Sequence, residues 1–315
     1  MKIKTICILG GTGFVGRHLV TRLYNQGFQV RILTRHREQH REFMVMPTAR
    51  LIEADVHDQE ALTQQFAGCD GVINLIAILN GSEAAFRKVH VELPGKIVTA
   101  CKRAGVKRLL HMSALGAAET GPSLYQRTKA EGEGLVHQEG GGELRVTSFR
   151  PSIIFGLNDH FFTLFANMLK FFPVMPLPCA GTRFAPVYVE DVARALAASL
   201  GNQATYGQRL ELCGPKTYTF RELVEYAAEL VGHKRLILPM PDNLARLQAR
   251  IMSHIPGAPF TLDNYHSMQV DNVCSSNALP ALDIQPLSLE SVMPQYFQGK
   301  ASRGRYRSYR SGARR

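Results

Sequence analysis

Short apolar runs and helical periodicities alternate along the first half of the chain. Ile3 to Leu9 is an apolar run of strand length, and a 3.6-residue pattern takes over near Phe14. Further strands are predicted at Phe28–Leu33, Leu51–Ala54, Gly71–Ile76 (interrupted only by Asn74), Lys107–Met112 and Glu143–Phe149. The intervening pattern predicts helices over Gln59–Phe66, over Glu83–Arg103, and from Pro122 and Ser123 to about Gln138, where the glycines at 140 to 142 stop it. Continuous apolar strands suit a parallel sheet covered on both faces, and the strand-helix-strand rhythm predicts right-handed crossovers. The expected fold is α/β, a doubly wound parallel sheet.

After Gly156 the rhythm loosens, as a smaller substrate-side subdomain would make it. Phe161, Phe165, Met168, Leu169 and Phe172 fall at i, i+4, i+7, i+8 and i+11. That apolar helical face has two readings: packing on a core, or a lid, partner or membrane contact. Val187–Val189 reads as a short strand, with Glu190 and Asp191 capping a helix from Val192 to Leu200. Thr219 and Glu222 form a capping box for a helix from Phe220 to Val231. The expected organisation is a nucleotide-binding domain over 1–155, a smaller mixed α/β region over 156–299 partly interleaved with it, and a disordered basic tail over 300–315.

Chemistry enters at Gly10-Gly11-Thr12-Gly13-Phe14-Val15-Gly16, between the first strand and the first helix. Glycines there permit an unusual turn, close approach of a pyrophosphate to main chain, and tight helix-to-strand packing. The helix N-terminus adds unpaired N–H groups and partial positive charge. A dinucleotide site is therefore expected on Gly10, Thr12, Gly13, Phe14, Val15 and Gly16. At the end of the second strand, Arg35 with Arg37 in support favours NADP(H), and Glu38 leaves NAD(H) as the second option. Tyr125 and Lys129 lie one helical turn apart on one face, and Ser113 ends the fifth strand where such sheets place their ligand crevice. The ammonium of Lys129 is expected to lower the phenol pKa, and Ser113 to hydrogen-bond a substrate oxygen, giving a catalytic set of Ser113, Tyr125 and Lys129.

Composition adjusts this picture at a few points. With 315 residues, 45% of them hydrophobic, the chain can bury one substantial core and a smaller second one. The longest apolar-rich stretch, Phe161 to Leu177, is too short and too interrupted to span a bilayer, and no secretory pattern opens the chain. A cytoplasmic protein is expected, with peripheral attachment at the inner face of the membrane as an option. Six cysteines without C-x-x-C spacing read as reduced thiols, with no metal site and no disulfide framework. Of the net charge of +11, seven positive charges lie in the tail from Lys300 onward, and no acid follows Glu290. That tail has two readings: a contact with anionic lipid, nucleic acid or an acidic protein surface, or a solvated segment that aids solubility; no recognition motif for specific nucleic acid accompanies it.

Taken together, Gly10-x-x-Gly13-x-x-Gly16, Asp55-Val56, Asn74-Leu75-Ile76-Ala77, Ser113 and Tyr125-x-x-x-Lys129 resemble the short-chain dehydrogenase/reductase superfamily in its extended or atypical, epimerase/dehydratase-like branch. The resemblance implies a Rossmann-type fold and an NAD(P)-dependent oxidoreductase or epimerase/dehydratase-like activity. It implies that Asp55, with Val56 beside it, meets the adenine, that Ile76 and Ala77 back the ribose, that Lys129 holds the nicotinamide ribose, and that Pro151 and Ile153 flank the nicotinamide. Val89-His90-Val91 departs from it, since His90 stands where extended members carry an asparagine relay. Segments such as His111-Met112-Ser113-Ala114-Leu115-Gly116 and Pro186-Val187-Tyr188-Val189-Glu190-Asp191 are similar to bacterial relatives of the nucleotide-binding accessory subunit of respiratory complex I. Two functions are thus implied: a reductase of a carbonyl in a hydrophobic, quinone- or isoprenoid-like molecule, or an accessory protein that keeps NADPH as a structural group.

Overall fold

The computed structural model describes residues 3–233, 235–255 and 260–296. The basic tail from residue 300 lies outside the described residues. In chain order the first elements are β1 (Thr5–Leu9), α1 (Phe14–Asn25), β2 (Gln29–Thr34), β3 (Ala49–Glu53), α2 (Gln59–Phe66) and β4 (Gly71–Asn74). Next come α3 (Glu83–Arg87), α4 (Leu93–Arg103), β5 (Arg108–Met112), α5 (Leu124–Glu139), β6 (Arg145–Pro151), β7 (Ile154–Phe155), α6 (His160–Phe171) and β8 (Val174–Leu177). The last are β9 (Arg183–Phe184), β10 (Val187–Tyr188), α7 (Val189–Ser199), β11 (Arg209–Leu212), β12 (Tyr218–Thr219), α8 (Phe220–Leu230), β13 (Leu236–Pro239), α9 (Asp242–Met252) and α10 (Leu262–Ser267).

Two compact units share these elements. Among the described residues the first takes 3–152, 189–213 and 274–285, and the second takes 153–188, 214–273 and 286–296. Unit one is built on a seven-stranded sheet in the order β11-β6-β5-β4-β1-β2-β3. Every pairing in it is parallel. The order reverses between β1 and β4. This is a Rossmann-type sheet with one strand more than the six expected; the seventh, Arg209-Leu210-Glu211-Leu212, is only four residues long and lies beyond the strand-helix repeat of the first half of the chain. Its free edge is shielded by the returning chain: Glu211 O accepts from Ala278 N–H at 2.9 Å, and Asn277 bonds both Cys213 N–H and Cys213 O.

That return also corrects the cysteine reading. Cys213 and Cys274 form a disulfide, 61 residues apart, whereas Cys7, Cys69 and Cys101 are free and buried in unit one. Spacing along the chain gave no hint of the pair, since the fold alone brings residue 274 beside the end of β11.

Two helices differ from their predicted forms. The long helix expected over Glu83–Arg103 contains a π-helical turn at Lys88–Glu92 between α3 and α4. Its wide turn pushes His90 O toward α5 at Gly132, where a Cβ would collide with that carbonyl. Helix α7 begins at Val189, so Glu190 and Asp191 occupy its first turn and favour the helix dipole instead of capping it. The box of Thr219 and Glu222 at α8 is present, and Ser123 caps α5 with Gln126 completing a second box.

In unit two, Phe162 and Leu169 of α6 are fully buried beside Phe220, Leu223, Val224 and Ala227 of α8, with Phe161, Phe165 and Met168 packed against them. The apolar face of α6 is therefore core. Phe171 and Phe172 fall outside it and are exposed. No helix among the described residues is long and apolar enough to cross a membrane.

Candidate nucleotide and catalytic site

β1 ends at Leu9, and Gly10 then takes φ +77°, a left-handed conformation that glycine adopts without steric cost. A Cβ on Gly10 would lie 3.1 Å from Leu75 C and 3.2 Å from Ile76 N, so the turn after β1 rests against the loop after β4. Those strands flank the reversal of sheet order, where open α/β sheets bind ligands. At Gly16 a Cβ would collide with Gly10 O, so α1 approaches its own turn this closely only without a side chain there. Gly13 is the N-cap of α1 and contributes no capping side chain, and the first turn holds no acid. Phe14 and Val15 occupy that turn, and Arg17 Nε donates to Thr12 O at 2.9 Å to fix the loop. A cradle closed to side chains, at an uncapped helix N-terminus, fits a dinucleotide pyrophosphate.

The rim is set by local hydrogen bonds. Asn74 Oδ1 accepts from Ile76 N–H at 3.1 Å, which turns the chain out of the sheet toward Ala77, and Asn74 Nδ2 meets His111 Nδ1 at 3.3 Å. Asp55 Oδ1 accepts from His57 N–H at 2.9 Å in the loop after β3, with Val56 buried behind it. Arg35 is exposed beyond β2 and forms no ion pair among the described residues. Glu38 instead faces Arg41 at 3.5 Å, and Arg37 N–H bonds Glu53 Oε2 at 3.2 Å.

At the end of β5, Ser113 N–H donates to Phe149 O at 2.8 Å, and its Oγ is buried without a hydrogen bond of ordinary geometry. The Lys129 ammonium is buried and donates to Met112 O at 2.6 Å, one residue before Ser113. Burial lowers its pKa to about 8, with Glu133 opposing the shift. Tyr125 lies one turn earlier, its ring edge-on to His90 at 5.5 Å and to Phe86 at 6.3 Å. Here the expectation is corrected: burial pushes the phenol up to about 12, and Lys129, turned to a carbonyl, does not lower it. Protein groups alone keep Tyr125 protonated. Pro151 ends β6 and accepts from Leu115 N–H at 3.0 Å, and Ile153 belongs to unit two.

His90 has a structural job. Its Nε2 accepts from Ile78 N–H at 3.2 Å, and its Nδ1 meets Thr128 Oγ1 at 3.0 Å, which in turn donates to Leu124 O at 2.8 Å. Only the neutral ring protonated on Nδ1 satisfies all three bonds. Burial, with Lys129 nearby, pushes its pKa to about 3. The ring thereby ties the loop after β4 to α5.

Sequence reasoning missed Glu133, which follows Lys129 by one turn so that Tyr125, Lys129 and Glu133 share a face. Its carboxylate is buried, grips Arg150 through Nη2 at 2.7 Å and Nε at 2.9 Å, and meets Arg209 Nε at 2.6 Å. Burial opposes its charge, but Arg150, Ser113 and Arg209 together hold its pKa below the usual carboxylate value. The available signal was an acid spaced at i+4 from a candidate catalytic lysine.

A profile described as NAD(P)H-binding matches residues 10–139, and one described as male sterility protein matches residues 84–198. The mitochondrial NADH dehydrogenase (ubiquinone) 1 alpha subcomplex subunit 9 of Rattus norvegicus is 30% identical over 294 residues, 90% of this chain and 77% of the rat protein. The chain belongs to the NAD(P)-binding short-chain dehydrogenase/reductase-like family. Another relative, the ceramide reductase of Caulobacter vibrioides, is 28% identical over 238 residues, 75% of this chain and 74% of that protein. The UDP-glucose 4-epimerase of Thermus thermophilus, solved with NAD, superposes with a TM-score of 0.72 at 22% identity over 94% of this chain and 99% of that one, which shows the shared fold. Subunit 9 and a ceramide reductase are thus relatives of this chain, and neither name is the work of this chain.

Proposed function

We propose that the protein is an NADP(H)-dependent reductase of a carbonyl group on a hydrophobic, quinone- or lipid-like molecule. The observation that carries this reading is the contact of Lys129 Nζ with Met112 O at 2.6 Å, which ties the helix bearing Tyr125 to the strand end bearing Ser113. Gly10, Thr12, Gly13, Phe14, Val15 and Gly16 hold the pyrophosphate, Asp55 and Val56 the adenine side, Ile76, Ala77 and Lys129 the riboses, and Pro151 and Ile153 the nicotinamide side. Exposed Arg35 takes the 2′-phosphate, as Glu38 is turned to Arg41. When bound, the reduced nicotinamide supplies a hydride to the carbonyl carbon. Ser113 Oγ donates to the carbonyl oxygen, and Tyr125, protonated with a pKa of about 12, gives that oxygen its proton. The product is the alcohol. A reductive direction suits this phenol better than an oxidative one. The name of the Caulobacter relative, a ceramide reductase, supports a reductive activity on a lipid-like molecule.

A second reading is favoured by the rat relative, which aligns with 90% of the chain. In it the protein sits in the cytoplasm at the inner face of the membrane, docks on a respiratory complex, and holds NADPH for stability without turning it over. One experiment separates the two. The protein is purified without added nucleotide, its cofactor is released and identified, and absorbance at 340 nm is followed with a panel of quinones and long-chain ketones. Oxidation that vanishes in Tyr125→Phe, with NADPH affinity retained, supports the reductase. Stoichiometric NADPH that neither exchanges nor oxidises sinks it in favour of the accessory role.

A further inference from the structure

Helix α9 wears its large apolar residues outward. Ala245 and Ala249 face the interior of unit two, while Leu244, Leu247 and Ile251, at i, i+3 and i+7, are each more than half exposed, and Ile255 continues the stripe just past the helix. An ordinary surface helix does the reverse. One two-stranded ribbon of unit two, with Met175, Leu177 and Ile237 buried on its inner face, is apolar on its outer face as well. β8 and β13 pair with Val174 opposite Leu236 and Pro176 opposite Leu238, and all four are on the exposed face. Phe171 and Phe172, just before β8, are 80% and 54% exposed.

The charges around these residues select an occupant. Asp242 is the single acid between Glu229 and Asp263, and Tyr265 OH already donates to it at 2.7 Å. Arg246 and Arg250 are exposed on the margin of the stripe, and neither forms an ion pair among the described residues. A stripe of leucine and isoleucine edged by arginine matches a lipid surface, where the apolar residues enter the acyl boundary and the guanidinium groups reach headgroup phosphates. A second copy of the chain is the poorer match, because a symmetric α9 pair would bring arginine toward arginine.

We propose that unit two docks on a bilayer bearing anionic lipids through the outward face of α9, with the exposed face of the β8–β13 ribbon as the neighbouring apolar surface in that unit. Docking through this surface does not depend on whether the cofactor turns over.

Flotation of the full-length protein with vesicles of phosphatidylcholine alone, or of phosphatidylcholine with phosphatidylglycerol, tests this. The wild type should float with the anionic vesicles and far less with the neutral ones. Leu247→Asp/Ile251→Asp removes two exposed apolar groups that would enter the bilayer, so its partition should fall by roughly ten-fold or more while circular dichroism and NADPH affinity stay unchanged. Arg246→Gln/Arg250→Gln should remove much of the anionic preference, by about five-fold per charge, and leave the neutral-vesicle signal alone. The same comparison on protein lacking residues 300–315 isolates α9 from the basic tail, and the Leu247/Ile251 effect should persist. Three results overturn the proposal: wild type that stays unbound, a Leu247/Ile251 variant that floats like wild type, or a solution dimer that the same variant converts to monomer, which would assign the stripe to a second copy.

Discussion

The ammonium of Lys129 donates to Met112 O at 2.6 Å, so helix α5 is pinned to the end of β5 by a buried charge. Its pKa is about 8 in the folded protein, against about 10.4 for an unfolded lysine. Between those values the folded state has lost a proton that the unfolded chain keeps, so stability rises with pH from about 8 to about 10.4. The rise is about 3 kcal/mol, and it should vanish in Lys129→Met. Urea midpoints of both proteins at pH 7.5 and pH 10 measure it, and equal pH slopes would refute it. Above pH 10 Tyr125 acts in the opposite sense, since its folded pKa of about 12 exceeds the unfolded value and its contribution is lost as pH climbs.

Gly132 and Gly134 share α5 but should respond oppositely to alanine. A Cβ at Gly132 would collide with His90 O, a backbone atom of the π-helical turn, whereas one at Gly134 meets nothing within 4 Å. Gly132→Ala should therefore cost about 2 to 3 kcal/mol of stability, and Gly134→Ala should add about 0.5 to 1 kcal/mol from helix propensity. Paired chemical denaturation curves decide the matter.

His90 should remain neutral throughout the working pH range. With a pKa of about 3, its imidazole keeps the Nδ1–H form, and nitrogen NMR of labelled protein should show no titration between pH 5 and 8. His90→Ala removes the acceptor of Ile78 N–H and should weaken NADPH binding by about ten-fold through the loosened loop. A bell-shaped activity profile that loses its acidic limb in this variant would instead make His90 a proton carrier.

Arg35 is exposed and forms no ion pair among the described residues. Arg35→Ala should raise the dissociation constant of NADPH by about ten-fold or more and leave that of NADH within about two-fold. Titration calorimetry with both nucleotides reads this directly, and a parallel loss for both would remove Arg35 from the 2′-phosphate site.

Much of unit one was legible because backbone requirements are local. Gly10 and Gly16 announce a turn that only glycine satisfies, and the predicted helix Gln59–Phe66 coincides with α2. β11 was not legible, since the four residues Arg209-Leu210-Glu211-Leu212 are too short a run to tell strand from loop, and the strand exists through its pairing with β6. The π-helical turn at Lys88–Glu92 has no composition of its own, and the residue its carbonyl meets, Gly132, lies far along the chain. Ser113, Tyr125 and Lys129 were found by spacing. Glu133 and its arginines were not, because Arg150 and Arg209 reach it from separate strands. The phenol pKa was misjudged for a related reason: spacing puts a lysine near a tyrosine but does not say which oxygen the ammonium faces.

The disulfide stands where residues 214–273 depart from unit one and come back to it, with Cys213 on one side and Cys274 on the other. This makes the excursion a closed covalent ring. A protease that cuts once anywhere inside it leaves both pieces on the same molecule, migrating as one chain until a reductant parts them.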